Sequence, residues 1–277
     1  MVSRKILFGS FACLVVACIG FFLYTKTQGE SIRENNSLKK VTVESHSISQ
    51  NPVRVPIFIY HSIRPDDPTL PKSAKIFDTT PEILEQELKY LKDNGYTTIS
   101  LDELVATLHA GTLRDGQKPV VLTFDDGLEN QYTYAYPLLK KYNAKATFFV
   151  YPNPIEHNDL RFMSWDHVKE IGSTPGLVIG NHTLTHPLLS KLTPEELHHE
   201  VIDSKKILET KLGKPVTHFA APFGYTGPEL VQLLKNSGYA TGRTTTKGPV
   251  HTSDTLYALT AYMPHNTLYD FTWSLEH

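Results

Sequence analysis

The amino-acid sequence predicts an α/β fold, a distorted (β/α) barrel with seven or eight mostly parallel strands, preceded by an N-terminal membrane segment. Three observations support this prediction. From Val53 onward, short apolar stretches alternate with longer stretches that carry helix start signals. Polar residues suited to catalysis directly follow several of the apolar stretches, where parallel sheets place their sites. An uncharged run, Ile6–Tyr24, precedes all of these stretches.

The N-terminal run has the length and flank of a membrane segment. Arg4 and Lys5 precede Ile6–Tyr24, which as a helix would span about 28 Å of a hydrocarbon core that is ~30 Å thick. The positive flank predicts a cytoplasmic N-terminus and an exported body. Residues 1–24 are therefore expected to be a signal anchor that holds the protein to the bacterial membrane on its extracellular side. If they are cleaved as a signal peptide or at a lipoprotein site, the product is secreted or a lipoprotein.

Composition narrows the possible partners and metal ligands. The chain has 277 residues and a net charge of −2, and no basic stripe is present, so nucleic-acid binding is not expected. Residues 25–52 are polar and are predicted to be a linker before a domain at 53–277. The two cysteines, Cys13 and Cys18, both precede that domain. Any metal in the domain must therefore use histidine, carboxylate or water. The sequence does not indicate an oligomeric state.

The elements follow from local signals. Capping residues open helices at Thr80-Pro81, Ser100, Ser164 and Thr193, and glycine or asparagine closes several of them. Helices are expected at 81–94, 101–111, 132–142, 194–212 and 227–236, with a short one after Ser164. Strands are expected at 55–60, 96–99, 120–124, 146–151, 177–180, 217–221, 239–244 and 256–263.

Two carboxylates end one of these strands. Residues 120–127 read Val-Val-Leu-Thr-Phe-Asp-Asp-Gly. Buried carboxylates are costly unless they are paired, so Asp125 and Asp126 are expected at the carboxyl end of the strand, in a site. Gly127 allows the chain to turn sharply there. A solvated turn is the alternative interpretation of the same residues.

Two histidines follow another strand. His182 and His186 are four residues apart, which on one helical turn would place both imidazoles on the same face. That spacing suits two nitrogen ligands of one divalent metal, although two surface histidines are the simpler alternative. Combined with a carboxylate, they would supply three protein ligands and leave a coordination position open.

The chain resembles the polysaccharide deacetylases of the NodB-homology type, carbohydrate esterase family 4. Residues 123–127, Thr-Phe-Asp-Asp-Gly, match the first motif of that family, and residues 182–187, His-Thr-Leu-Thr-His-Pro, match the second. The segments 55–61 and 220–225 are similar to those of the biofilm poly-N-acetylglucosamine deacetylases, a subgroup of the family. The similarity covers about residues 53–263.

The resemblance implies removal of N-acetyl groups from an extracellular N-acetylglucosamine polymer. Asp126, His182 and His186 would hold a divalent metal, zinc by default, although cobalt, nickel, manganese and iron also suit these ligands. A metal-bound water would be the nucleophile and Asp125 its general base. His61, after the first core strand, is the first candidate for the general acid, and His265 is the second.

Further residues are expected to contact the glycan, and two departures from the family pattern stand out. Pro222, Phe223 and Gly224 are expected to form an oxyanion-binding turn, with Tyr225 and Trp165 as sugar-contacting aromatic residues. The family usually has an arginine where Ala220 stands, or, in the biofilm subgroup, near Ala261. It also usually has a histidine after a leucine near the C-terminus, and this pattern is missing here.

The sequence alone leaves alternative functions open. The first substrate prediction is poly-β-1,6-N-acetylglucosamine, and peptidoglycan or a chitin-like oligomer is the alternative. A membrane-tethered glycan-binding module with an impaired site would explain the two departures. A magnesium-dependent phosphotransfer site on Asp125 and Asp126 is disfavoured, because two histidines suit magnesium poorly and there is no glycine-rich phosphate loop.

Overall fold

The structure is a computed structural model that describes residues 51–113 and 116–277. The predicted membrane segment, residues 1–24, and all but the last two residues of the predicted linker lie outside the described residues. Within the described ranges, none of the helices combines the length and apolar character that are needed to cross a bilayer.

A seven-stranded parallel sheet forms the core of an α/β half-barrel, as the alternation of elements predicts. Six strands lie side by side in the order β10-β9-β8-β7-β6-β2, and β5 pairs with the first half of β6. The strands are β2 (Ile57–Tyr60), β5 (Tyr96–Thr98), β6 (Lys118–Phe124), β7 (Ala146–Val150), β8 (Leu177–Asn181), β9 (His218–Ala220) and β10 (Thr241–Arg243).

The segment 256–263 was expected to be an eighth strand, but it forms only single bridges. Leu259 pairs with Arg243 of β10, and Tyr262 pairs with Phe58 of β2. The N–H of Tyr262 donates to the Ile57 carbonyl at 2.8 Å, and the N–H of Leu259 donates to the Gly242 carbonyl at 2.9 Å. The segment therefore links the two outermost strands of the half-barrel without forming a regular strand.

Helices cross between successive strands. They are α1 (Pro81–Asp93), α2 (Leu101–Ala110), α3 (Tyr136–Tyr142), α4 (Pro152–Glu156), α5 (Trp165–Ser173), α6 (Pro194–Leu212), α7 (Pro228–Asn236) and α8 (Leu268–Glu276). The predicted N-caps Thr80, Ser100, Ser164 and Thr193 are confirmed, because each side chain accepts a hydrogen bond from the helix backbone. The sequence interpretation missed α4 and α8. It also did not anticipate that the helix expected at 132–142 starts with a π-helix, Gln131–Ala135, which runs directly into α3.

Four short strands lie outside the main sheet. They are β1 (Val53–Arg54), β3 (Ser62–Ile63), β4 (Asp78–Thr79) and β11 (Val250–His251). β3 pairs with β4 beside the end of β2, and β1 pairs antiparallel with β11. The Arg54 guanidinium donates to the carbonyls of Leu275 and His277, at 2.7 and 3.2 Å. These hydrogen bonds bring the first strand of the domain beside the end of α8.

Candidate active site

The first site loop follows β6 and holds two carboxylates in different surroundings. Asp125 is only 3% exposed, and its N–H donates to the Tyr60 carbonyl of the neighbouring strand β2. Asp126 is more accessible, and its backbone φ is +76°, a left-handed conformation that costs energy for any residue with a side chain. Gly127 has a similar φ, and a Cβ there would come 2.8 Å from Val150. The loop therefore turns sharply and separates the two carboxylates.

Asp126, His182 and His186 converge. Oδ1 of Asp126 lies 3.5 Å from Nε2 of His182 and 3.4 Å from Nε2 of His186, and the three donor atoms lie within 4.8 Å of one another. Nδ1 of His182 donates to the Ala220 carbonyl at 2.8 Å, because a carbonyl can only accept. This bond leaves the lone pair of Nε2 directed at the cluster. The three residues could therefore bind one metal ion.

A buried glutamate of α6 shapes the loop between the two histidines. Oε2 of Glu200 accepts from the N–H groups of Leu184 and Thr185, both at 2.9 Å, and Oε1 accepts from the Thr185 hydroxyl at 2.7 Å. The loop needs this support because Thr183 and His186 both have positive φ, +70° and +61°. Glu200 therefore holds a strained backbone in the shape that directs His186 toward Asp126.

Asp125 is paired with a buried arginine. Nη2 of Arg243, at the end of β10, donates to Oδ1 of Asp125 at 2.6 Å and also contacts Oδ2. Arg243 is 1% exposed, so the pair is shielded from solvent. A charged hydrogen bond of this kind is short and strong, and it fixes the orientation of the carboxylate.

His61 lies on the other side of Asp125. Its Nε2 is 3.9 Å from Oδ2 of Asp125, and its ring centroid is 5.0 Å from that of Phe77. Its Nδ1 is buried and has no hydrogen-bond partner among residues 51–113 and 116–277. Nε2 of Gln131 donates to the carbonyls of both His61 and Asp125, which joins the two loops. Burial lowers the pKa of His61, although the Asp125 and Asp126 carboxylates oppose this effect.

Burial and neighbouring charges also shift the pKa values of two members of the cluster. Burial and the nearby His182 lower the pKa of His186, so its imidazole favours the neutral form that binds metals. Burial alone would raise the pKa of Asp126, but His182, His61 and His186 together outweigh it and the pKa is lowered. Both shifts favour the forms of Asp126 and His186 that bind a metal ion, the carboxylate and the neutral imidazole.

These groups open into a cavity of about 920 Å³. The predicted residues His61, Asp125, Asp126, His182 and His186 all line it. Phe223 lines it too, with 65% of its surface exposed and its ring centroid 5.0 Å from that of His186. Pro222, Gly224 and Tyr225 are not among the described residues that line the cavity, and Tyr225 packs on the apolar cluster between α6 and α7. Of the turn expected to contact the glycan, Phe223 alone lines the cavity. His265 is exposed and lies outside it.

Trp165 lies in a neighbouring pocket and not in this cavity, which corrects its expected position. Its indole N–H donates to Oε1 of Glu156 at 2.7 Å, and the Lys211 ammonium lies 4.9 Å from the ring centroid. These contacts with α4 and α6 hold the indole at the start of α5, away from the metal-ligand cluster.

Residues 112–242 match the polysaccharide deacetylase family. The YxkH protein of Bacillus subtilis (strain 168), which is grouped with the polysaccharide deacetylases, is 32% identical over 211 residues, covering 76% of this chain and 71% of the relative. The chain belongs to the polysaccharide deacetylase family. As a polysaccharide deacetylase it is a hydrolase, so the predicted family and enzyme class are both confirmed.

Two further relatives agree with this assignment. The deacetylase PplD of Streptococcus pyogenes, solved in complex with acetate, superposes with a TM-score of 0.75 at 29% identity, over 82% of this deacetylase and 100% of that chain. A peptidoglycan-N-acetylglucosamine deacetylase of Bacillus cereus is 33% identical over 128 residues, which cover 46% of this chain and 56% of the relative.

The structure also shows which group occupies the place of the expected arginine. Arg243 is the Cα partner of Ala220 in the β9–β10 pairing, and on its other side it bridges Leu259, two residues before Ala261. The backbone of Arg243 therefore lies between Ala220 and the segment that contains Ala261, the two places at which the family pattern has an arginine. The sequence interpretation missed Arg243, Gln131 and Glu200. The available signal for Arg243 was a lone charged residue in the short buried strand β10, and no local signal marked Glu200 or Gln131.

Proposed function

We propose that this protein is a metal-dependent N-deacetylase that removes acetyl groups from N-acetylglucosamine units of an extracellular glycan. The observation that carries the proposal is the convergence of Asp126, His182 and His186 beside Asp125 and His61 in one open cavity. Glycan-binding modules have no need for such a cluster next to a buried, arginine-paired carboxylate, so the binding-module alternative is disfavoured.

The donor set fits a divalent cation such as zinc. One carboxylate and two imidazoles leave coordination positions open, and the Ala220 carbonyl fixes His182 in the tautomer that presents Nε2. Cobalt, nickel, manganese and iron accept the same ligands. When bound, the ion would polarise the amide carbonyl and lower the pKa of a water molecule.

The residues of the chain then have separate tasks. Asp125, oriented by Arg243, would take the proton of the attacking water as general base. His61, on the other side of Asp125, would deliver a proton to the leaving amine. In the 222–224 turn, Pro222 has no N–H and the Gly224 N–H donates to Ala221 at 2.9 Å, so Phe223 supplies the free backbone donor for the developing oxyanion.

Two polymers are candidate substrates. Poly-β-1,6-N-acetylglucosamine is supported by the resemblance of residues 55–61 and 220–225 to the biofilm subgroup. Peptidoglycan is supported by the Bacillus cereus relative, whose name specifies the N-acetylglucosamine of peptidoglycan. Both polymers carry the same acetamido group, so the proposed chemistry is the same for each. Export of the domain, with residues 1–24 as a membrane tether, would bring it to either glycan.

The test is acetate release by the purified protein, loaded with zinc, from each of the two polymers and from chitin oligomers. Asp125→Asn is expected to keep the metal and lose about 10²- to 10⁴-fold in kcat, because the base is removed and the ligands remain. His61→Ala should also keep the metal and lose kcat. If the wild-type protein released no acetate from any of the acetylated glycans, the proposal would be wrong.

A further inference from the structure

Gln131 connects the two loops that carry the proposed acid and the proposed base. It is fully buried, and its Nε2 donates to the His61 carbonyl at 2.7 Å and to the Asp125 carbonyl. A carbonyl can only accept, so these two bonds also decide which end of the amide faces the loops. Gln131 is not among the described residues that line the cavity. It can therefore act only through the residues that it holds.

The Gln131 amide lies where the pairing between β2 and β6 stops. Tyr60 and Phe124 are the last paired residues of these strands, and the Asp125 N–H still donates to the Tyr60 carbonyl at 2.8 Å. His61 and Asp125 are the first residues after the paired part of the two strands. The amide of Gln131 joins their carbonyls, so it continues the connection between the strands by one residue.

Asn130 adds two hydrogen bonds to the segment that follows β2. Its Oδ1 accepts from the Ile63 N–H at 3.1 Å, and its Nδ2 donates to the Ser62 hydroxyl oxygen at 2.9 Å. Two consecutive side-chain amides therefore hold residues 61–63 against the loop after β6. Gln131 is also the first residue of a π-helix, a distortion that frequently occurs at functional sites.

The His61 imidazole depends on this backbone support more than the Asp125 carboxylate does. Arg243 donates to the carboxylate and orients it independently of Gln131. Nδ1 of His61 has no hydrogen-bond partner in the part of the chain that the structure describes, and its Nε2 lies 3.9 Å from Oδ2 of Asp125, beyond hydrogen-bonding distance. The position of the imidazole is therefore set mainly by the backbone that carries it.

We propose that Gln131 is a positioning residue that holds the His61 imidazole where it can protonate the leaving amine. This inference rests on the proposed function. In that reaction the bond between the carbonyl carbon and the nitrogen breaks, and the acetyl group takes the hydroxyl of the attacking water. Asp125 takes the proton that the water loses, and the amine nitrogen takes the proton that His61 carries. A misplaced imidazole slows only the last of these transfers.

The experiment compares two substrates that differ in their need for an acid. N-acetylglucosamine oligomers lose an amine, which must be protonated, whereas 4-nitrophenyl acetate loses a phenolate, which leaves without a proton. Gln131→Met keeps the length of the side chain and removes both donors. For the zinc-loaded protein we expect kcat on the oligomers to fall about tenfold with KM unchanged, and ester hydrolysis to change by less than about twofold.

A double variant separates positioning from a general loosening of the site. In a His61→Ala background the imidazole is absent, so Gln131→Met should cause no further loss of kcat on the oligomers. Two measurements do not depend on turnover. Zinc affinity of Gln131→Met, measured by competition with a chelator, should be unchanged. A crystal structure of the same variant should show the His61 ring displaced and the contact between Arg243 and Asp125 retained.

Leu108→Ala is the control for lost stability. Leu108 is fully buried in α2 and is not among the described residues that line the cavity. The variant should unfold more easily and keep its kcat on both substrates. Asn130→Ala, at a half-buried position, replaces Gln131→Met if that variant does not fold. It should lower kcat on the oligomers by a smaller factor and leave ester hydrolysis unchanged.

The outcomes distinguish this inference from the proposed function. Equal losses on both substrates, a further loss in the His61→Ala background, or full activity of Gln131→Met would overturn the positioning role. If the wild-type protein released no acetate from any acetylated glycan, the proposed function would fail instead. The crystal structure of Gln131→Met would still decide whether Gln131 holds the His61 ring in place.

Discussion

Nη2 of Arg243 lies 2.6 Å from Oδ1 of Asp125, and both side chains are buried. The two residues are 118 positions apart in the chain and come from β10 and from the loop after β6. The parallel sheet brings them together at the carboxyl ends of its strands, where one end of the guanidinium neutralises the carboxylate. This pair therefore couples the stability of the half-barrel to the orientation of the proposed base.

Removing the arginine should harm both stability and turnover. Arg243→Gln leaves Asp125 buried without its charge partner, so we expect the free energy of unfolding to fall by about 3–5 kcal/mol. We also expect kcat to fall by at least about tenfold, because the carboxylate loses its fixed orientation. Denaturant unfolding and acetate release measure the two effects.

The double variant Asp125→Asn with Arg243→Gln separates charge from packing. Without a carboxylate to neutralise, it should be more stable than Arg243→Gln alone. A double variant no more stable than that single variant would show that Arg243 acts through packing and not through its charge.

Chelation and ligand substitution should test the metal-ligand cluster. His186→Ala removes one of three protein donors, so we expect zinc affinity to fall by at least about 100-fold and acetate release to be lost. A chelator should inactivate the wild-type protein, and added zinc should restore it. Competition with a chromogenic zinc chelator measures the affinity. His157→Ala is the matched control, because His157 is exposed and its Nδ1 donates to the Asn153 carbonyl of α4, outside the cluster. Unchanged zinc binding in His186→Ala would contradict the assignment.

Glu200 should act on metal affinity without touching the metal. Glu200→Gln retains only one acceptor oxygen for the three donors from Leu184 and Thr185. We expect the loop to loosen, with a roughly tenfold loss of zinc affinity and a loss of about 1–2 kcal/mol in stability. Competition with a zinc chelator measures the affinity, and thermal unfolding measures the stability. Glu195→Gln, at an exposed site on the same helix, is the control and should change neither zinc affinity nor stability. If Glu195→Gln caused a similar loss, the effect would come from α6 in general and not from the Glu200 hydrogen bonds.

Glu87 should make the stability of the protein depend on pH. Burial raises the pKa of Glu87 to about 8, although the hydrogen bond from the Tyr60 hydroxyl, at 2.8 Å, opposes this. Between pH 4.5 and about 8 the unfolded chain releases this proton while the folded chain retains it. The stabilising effect of the bound proton is therefore complete below pH 4.5 and is lost as pH rises toward 8, by an amount on the order of 4 kcal/mol.

Glu87→Gln replaces the titrating carboxyl group with an amide that does not titrate. The variant should have a flatter stability profile between pH 5 and 8 and be more stable than the wild-type protein at pH 8, as denaturant titrations at several pH values would show. Glu82→Gln, at an exposed position on the same helix, is the control. If the two variants had identical profiles, Glu87 would not be the group responsible.

The sequence allowed most of the reacting groups to be predicted, because each follows its own strand. Asp125, Asp126, His182 and His186 stand directly after apolar stretches, and parallel strands bring such positions to one edge of the sheet. His61 follows β2 in the same way and lies beside Asp125. Local patterns were sufficient here because the fold class already specified where strand ends meet.

Other features depend on pairing between distant elements, which local patterns do not encode. Arg243 reaches Asp125 because β10 pairs in register with β9, so the guanidinium stands beside Ala220. Residues 256–263 have the apolar character of a strand, but they contact β10 and β2 at single positions as they pass between them. Trp165 was predicted to contact the glycan from its residue type alone, whereas its partners Glu156 and Lys211 hold it in a neighbouring pocket, outside the active-site cavity.

The hydrogen bonds from Arg54 to the carbonyls of Leu275 and His277 have a consequence for protein engineering. They place the start and the end of the domain side by side. A short linker could therefore join these ends, and new termini could be opened at an exposed turn such as Gly213. Such a circularly permuted chain should assemble the same catalytic cavity, because the cavity depends on which strands are neighbours and not on where translation begins.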